Sequence, residues 1–442
     1  MKQVNGLLKW LIACLMLIFI FAIASACQPT PTDPVVVDRR EFQEKVEQAA
    51  PASVYDAPST WRETLDMRSS SATVEIDAAV RVPGVTSYPA YRVEQIAFSN
   101  ETVQAMLDCF VRSNNAVALT EPTKGDINKQ ILIARKNGRD SWADSLEEDL
   151  DKAPESAPME PIKDWTLTSD RQQIYGGMEL SEGEYATILL SANTVGYDNG
   201  LVWEESSLRL NGQTVGEVGI TEEAAITSAK SMLGSFGLTD VVVYSIEKAL
   251  AYPMDGYWFA ADTEVPLWKG YSIRFVRTIG GISARDDEGV TESDGDEYEY
   301  TAPFYIENIQ MGVDEGGSVQ WFSWTNPTRL TEKVSDNVIL LPFEEVQEKV
   351  RKLLFFTYAY RYDAITVKRV EMKMTMIGIK DRPGEAMYVP AWFIYSTVSH
   401  PWEAGTEEGD TPDTETIVIN AVDGGRILEH PAHLDAQATL IE

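Results

Sequence analysis

The sequence predicts an α+β fold rich in sheet, built from helix-plus-antiparallel-meander units behind a mixed N-terminal region. Three observations predict it. Amphipathic helical stretches occur at 222–232, stopped by Gly234 and Gly237, and from Pro342 to Leu353. Each is followed by several stretches in which polarity alternates at period two. Turn residues, Asp314-Glu315-Gly316-Gly317 and Asp423-Gly424-Gly425, punctuate those stretches. The organisation expected is a signal segment at 1–26, a tether at 27–37, a mixed α+β domain at 38–215, and two helix-plus-meander units at 216–330 and 331–442, each with one helix-covered sheet face.

The chain opens with Lys2 and Lys9, an apolar run from Leu11 to Ala24, and then Ser25, Ala26 and Cys27. A basic start, a short apolar run and small residues before a cut site describe a secretory signal rather than a spanning helix. The segment resembles a bacterial lipoprotein signal, which implies that Cys27 receives the lipid and becomes the first residue of the mature protein. Gln28 to Pro34, with three prolines and two threonines, reads as a semi-extended tether.

In the mixed region, a short amphipathic helix is expected at 38–50, strands at Ser71–Ile76 and Tyr91–Ile96, and a helix from Asn100 to about Val111 capped by Ser99 or Asn100. Ile131–Ala134 is a core segment. Trp142, Leu146 and Leu150 share one face of a helix that ends before Pro154, and strands follow at Tyr185–Ser191 and Leu201–Arg209. In the first unit Thr221 caps the helix, and strands are expected at Val241–Ile246, Tyr271–Ile279, Phe304–Gly312 and Val319–Trp324. In the second, early acids and late bases match the helix dipole. The strand after it alternates Val370, Met372, Met374 and Met376 with Glu371, Lys373 and Thr375, and Met387–Thr397 and Thr416–Ala421 extend the meander.

Composition excludes some functions outright. The 69 acids against 37 bases give a net charge of −32, which repels a phosphate backbone, so no nucleic-acid partner is expected. Removing residues 1–26 leaves 69 acids and 35 bases, so anionic headgroups would repel the mature surface and the lipid alone would hold it at the membrane. Of Cys14, Cys27 and Cys109, only Cys109 remains as a free thiol, which excludes an internal disulfide and a thiolate metal cluster.

No catalytic motif emerges. His400, His430 and His433 are the only imidazoles and lack metal-binding helical spacing. No nucleophile elbow and no phosphate-cradling glycine loop occurs. Asp286, Asp287, Asp294 and Asp296 lie in an acidic, glycine-containing stretch whose oxygen density would suit calcium, but the EF-hand order is incomplete and a solvated loop is the expectation. No cofactor is therefore expected. A glycosidase needs only two carboxylates, so a carboxylate-based glycan hydrolase stays open as an alternative. Trp321 and Trp324 are candidate binding residues; their opposite parity on one strand puts at most one of them in the core unless a bulge intervenes.

Several segments carry a resemblance. They are the signal and tether, Glu307 to Pro327 with Trp324-Thr325-Asn326-Pro327, Leu341 to Glu345, Tyr388 to Trp392, and Ile419 to Gly424. Together they resemble an uncharacterised lipoprotein family of Gram-positive, Clostridia-like gut bacteria. The last two units are also similar to the helix-plus-meander units of extracytoplasmic regulatory proteins. The resemblance implies a location outside the cell membrane and no activity. The resulting expectation is a non-enzymatic envelope lipoprotein that binds a protein or ligand, with a solute-binding lipoprotein as a further alternative. Cys27→Ser should release the protein from the membrane fraction or leave the signal uncleaved. Normal fractionation of a normal-size mature protein would contradict the lipid anchor.

Overall fold

The computed structural model describes residues 42, 45–46, 50–67, 72–111, 116–118, 123–136, 140–156, 160–181, 184–208, 214–252, 266–285, 300–356, 358–360, 362–379, 385–399 and 413–428. Cys27, the signal and tether segments, the acidic stretch holding Asp286, Asp287, Asp294 and Asp296, and all three histidines lie outside the described residues. Among the described residues no helix is long and apolar enough to cross a membrane.

Two large curled sheets dominate, each with its own apolar core. The seven-stranded sheet takes β1 (Thr60–Leu65), β2 (Thr73–Arg81) and β3 (Ala90–Gln95) from early in the chain. It joins them to β15 (Thr328–Ser335), β16 (Ala364–Gly378), β17 (Ala386–Ser399) and β18 (Asp413–Asn420) in the order β1-β2-β16-β17-β3-β15, with β18 beside β17. The ten-stranded sheet runs β4 (Ala116–Ala118), β5 (Gln173–Ser181), β6 (Glu184–Ser191), β7 (Thr194–Asp198), β14 (Val319–Thr325), β13 (Asn308–Asp314), β10 (Trp268–Ile279), β9 (Val241–Tyr252) and β8 (Leu201–Glu204), with β11 (Ile282–Ser283) beside β10. Tyr300–Thr301 (β12) and Ile427–Leu428 (β19) form a separate parallel pair.

The fold is thus broadly α+β with mostly antiparallel sheets. The expected strands after each late helix are neighbours in sequence order, β9-β10-β13-β14 and β16-β17-β18. Both sheets also recruit strands from upstream, and β2 pairs with β16 in parallel. Residues 60–95 therefore share a sheet with 328–420, a long-range pairing that local periodicity does not encode.

The helices form where capping and apolar spacing favour them. Ser99 accepts the Thr102 N–H at the start of α1 (Asn100–Phe110), and Val103, Met106, Leu107 and Phe110 face the core of the ten-stranded sheet. Lys124–Lys136 (α2) and Asp140–Leu150 (α3) pack on each other through Ile127, Ile131, Ala134 and Ala143. A single turn, Glu205–Leu208 (α4), follows β8. Thr221 caps α5 (Glu222–Ser235), which buries Ala225, Ala229 and Leu233. Phe343–Phe356 (α6) buries five apolar residues against the seven-stranded sheet, with Phe343 5.1 Å from Trp392 and edge-on to Trp61. Cys109 is half-buried and packs against the core of the ten-stranded sheet.

The chain passes from the ten-stranded to the seven-stranded sheet through Asn326 and Pro327, where Asn326 adopts φ 53°. Beside this crossing a buried carboxylate, Glu307, gathers donors from both sides. Arg277 binds it bidentately (2.7 and 3.0 Å), the Trp324 indole N–H donates at 2.8 Å, and the Thr328 hydroxyl donates at 2.9 Å. Arg277 also reaches Asp240 at 2.6 Å and the Thr328 carbonyl at 3.3 Å. Burial alone would lower the guanidinium pKa, but Glu307 and Asp240 outweigh it and raise it, so the charge stays. Burial also raises the nearby Tyr388 phenol on β17, and Glu307 adds to the rise.

The Glu307 side chain is 2% exposed, so losing its charge leaves Arg277, in a dry joint, with the far more exposed Asp240 as its counter-ion. Glu307→Gln should cost about 3–5 kcal/mol in urea unfolding. Arg277→Met combined with Glu307→Leu should cost clearly less than the two single changes added together. Additive losses would show that the pair is not coupled.

Candidate functional site

The ten-stranded sheet rolls up on itself, and a two-residue link reveals it. β7 and β8 lie at opposite ends of the run β7-β14-β13-β10-β9-β8, five strand spacings apart, which is ~24 Å in a flat sheet. Yet only Asn199 and Gly200 separate them, a span of at most ~11 Å between Asp198 and Leu201. The run must therefore curl until its ends approach. Gly200 makes the closure, with φ +102°; a Cβ there would lie 2.6 Å from the Tyr252 carbonyl oxygen of β9. Asn199 ties the other side by donating its backbone N–H to the Gln320 carbonyl (3.0 Å) and its side-chain amide to Gln320 Oε1 (2.8 Å).

The face turned inward by this roll holds Asp198 and Trp321, directly opposite each other on β7 and β14, and Gly312 beside Trp321 on β13. Trp268 enters from β10 and lies across Gly312, where an added Cβ would be 2.6 Å from the indole ring; only glycine leaves room for it. The Trp268 indole N–H donates to the Asn199 carbonyl at 3.1 Å. Trp268 and the half-buried Trp321 pack with Val202, Ala249 and Ala251, forming an apolar floor at one end.

Above that floor stands a polar ring. Glu204 accepts from Ser272 (3.0 Å), from Gln310 (2.6 Å) and from Arg274 (3.4 Å to each carboxylate oxygen). Gln310 also donates to the Ser272 hydroxyl at 3.0 Å. Asp198 differs: its Oδ1 is buried with no hydrogen-bond partner, and burial pushes its carboxyl up to about 7. One carboxylate is thus paired with a cation and the other is poised near neutral.

The roll separates the two expected tryptophans. Trp321 belongs to the inward face. Trp324, 5% exposed, points to the opposite face, where it meets Phe98 edge-on at 4.7 Å and gives its indole N–H to Glu307. It is a core and joint residue, and a docking partner on this strand would meet Trp321 alone. Asp198, Glu204, Arg274 and Gln310 escaped sequence reasoning because Gly196–Gly200 reads as a connection and not as a strand end. The readable signal was the alternation Val195, Tyr197 against Gly196, Asp198.

No family model matches the chain, and no curated protein matches it. Among solved structures, an uncharacterised protein from Eubacterium rectale aligns over 90% of this chain and 99% of its own at 12% identity, with a TM-score of 0.49. The C-terminal domain of Bacillus megaterium YpeB aligns over 59% of this chain and 84% of its own at 13% identity, with a TM-score of 0.26.

Asp198 gives a pH test with a definite sign. Its folded pKa lies above the unfolded value, so between about pH 4 and 7 the folded state keeps a proton that the unfolded chain has lost. Stability falls as pH rises through that window, and the full penalty is present above it. Asp198→Asn should therefore raise unfolding free energy by roughly 2–4 kcal/mol at about pH 8 and leave it unchanged near pH 3.5. An equal effect at both pH values in urea titrations would contradict a desolvated carboxyl.

Proposed function

We propose that this is a non-enzymatic binding protein, tethered by lipid on Cys27 at the extracytoplasmic face of a bacterial cell membrane, whose recognition site is the inward face of the rolled sheet. The observation that carries the reading is one face combining an aromatic floor, Trp268 and Trp321, with a ring of hydrogen-bonding groups and one unsatisfied acceptor, Asp198 Oδ1. Aromatic surface beside directional polar groups suits a hydroxyl-rich ligand, so a cell-envelope glycan is the partner chemistry that fits; a protein side chain is the other. The two helix-and-strand segments at 216–330 and 331–442 act in this reading as the repeated units of a regulatory ectodomain, and the resemblance of the leading segment, with Cys27, to a lipoprotein signal supports the address.

One observation favours a hydrolase as the second reading. Asp198 is protonatable near neutral pH while Arg274 accompanies the Glu204 carboxylate, the division between acid and base that glycoside cleavage uses. A glycan array run beside a reducing-sugar release assay separates the two. Trp321→Ala should abolish retention of a bound glycan without changing the circular dichroism spectrum, and no sugar should be released. Release that disappears in both Asp198→Asn and Glu204→Gln would replace binding by hydrolysis.

A further inference from the structure

A second polar site lies between the sheets, independent of the rolled face. β2 runs beside β16 only as far as Arg81 and Glu371; past that point the vacated edge of β16 is taken by Ala284, bridged to Met374, with the Arg285 N–H donating to the Met374 carbonyl at 3.0 Å. Where one neighbour leaves and the other arrives, a cavity of about 320 Å³ remains. Arg81 and Gly84, Thr278 and Ser283, and Glu371 and Lys373 line it from both sheets. That volume is at the small end of the ~300–1,000 Å³ usual for small-molecule sites.

Its charge runs against the rest of the chain. In a protein of net charge −32, one carboxylate, Glu371, is shared by three cations: Arg81 at 2.9 Å, Lys373 at 3.2 Å and Arg369 at 3.3 Å. Lys373 is 7% exposed. Its ammonium donates to the Tyr395 hydroxyl at 2.9 Å and sits 4.6 Å from the Tyr244 ring centre and 5.2 Å from that of Tyr395. Ring faces offset part of the desolvation of a buried cation, but they do not neutralise it. The Thr278 hydroxyl, in the same wall, is buried and has no hydrogen-bond partner. Surplus positive charge and an unused hydroxyl thus border a common space, which is what a bound oxyanion would satisfy.

We propose that this inter-sheet cavity binds a small oxyanion, a carboxylate- or phosphate-bearing molecule, held by Lys373, Arg81 and Thr278, so that the ligand links the two sheets. Because β2 and β16 form one wall and β10 and β11 the other, occupancy should also stiffen the joint between them.

Inorganic phosphate and succinate, each titrated into the full-length protein against sodium chloride at matched ionic strength, test this. Calorimetry should show one saturable site for at least one of the two anions and a matching rise in Tm; whichever binds more tightly identifies the oxyanion. Arg81→Ala, at a side chain 67% exposed, should weaken binding roughly tenfold or more, and Lys373→Met should abolish it. Should Lys373→Met fail to fold, Thr278→Val keeps the test open: it removes a hydroxyl with no partner to lose, so the free protein keeps or gains stability while anion affinity falls several-fold. A response no larger than that to sodium chloride, or one that survives both Arg81→Ala and Thr278→Val, would overturn the site.

Discussion

Among the described residues, Glu307 is the only carboxylate at the crossing between the sheets whose side chain is almost fully withdrawn from water, and the placement of both sheets depends on what it accepts. Arg277 comes from the end of β10, Trp324 from the end of β14, and Thr328 from the first residue of β15, which already belongs to the other sheet. An ion pair this dry contributes less net stability than apolar packing would, because desolvation offsets much of its attraction. Its effect is directional. Apolar contacts tolerate sliding, whereas a bidentate guanidinium and two further donors on one carboxylate admit one arrangement.

From that joint both polar sites follow. The seven-stranded sheet leaves the upper edge of β16 open where β2 ends, and the position of β10 relative to β16 decides whether Ala284 fills it and how much space stays behind. The same β10 supplies Trp268, Ser272 and Arg274 to the rolled face. A rotation of one sheet against the other would therefore alter the cavity at Lys373 and shift the strand that floors the roll. The rolled face is acidic and hydrogen-bonding, the cavity is cationic, and one strand, β10, contributes side chains to both.

Much of the local structure was legible from residues alone. Ser99 and Thr221 cap helices as their chemistry requires, and Phe343, Val346, Val350 and Leu353 form the buried face that their spacing describes. Asp314 accepts the N–H groups of Gly316 and Ser318 in the turn expected there. The alternation of β16 was also readable, but not the burial of both its faces: Glu371, Lys373 and Thr375 are buried as well, because the end of the other sheet covers them. Period-two patterning reports a strand's two faces and is silent on whether a second layer covers the polar one. Likewise Trp321 and Trp324 separate by parity as expected, yet which of them enters the core depends on α1 and α5 covering one face. The pairing of 60–95 with the C-terminal strands, and the closure at Asn199–Gly200, are contacts between segments far apart in sequence, and no local pattern encodes them.

Hydrogen–deuterium exchange on the Glu307→Gln protein tests the central claim, that one buried carboxylate couples the two sheets, most directly. The coupling account predicts that amides of β13–β14 and of β16–β17 lose protection together and by similar factors, since the joint fixes both. Loss confined to β13–β14, with β16–β17 protected as in the unmodified protein, would contradict it and leave the sheets as neighbours that fold separately.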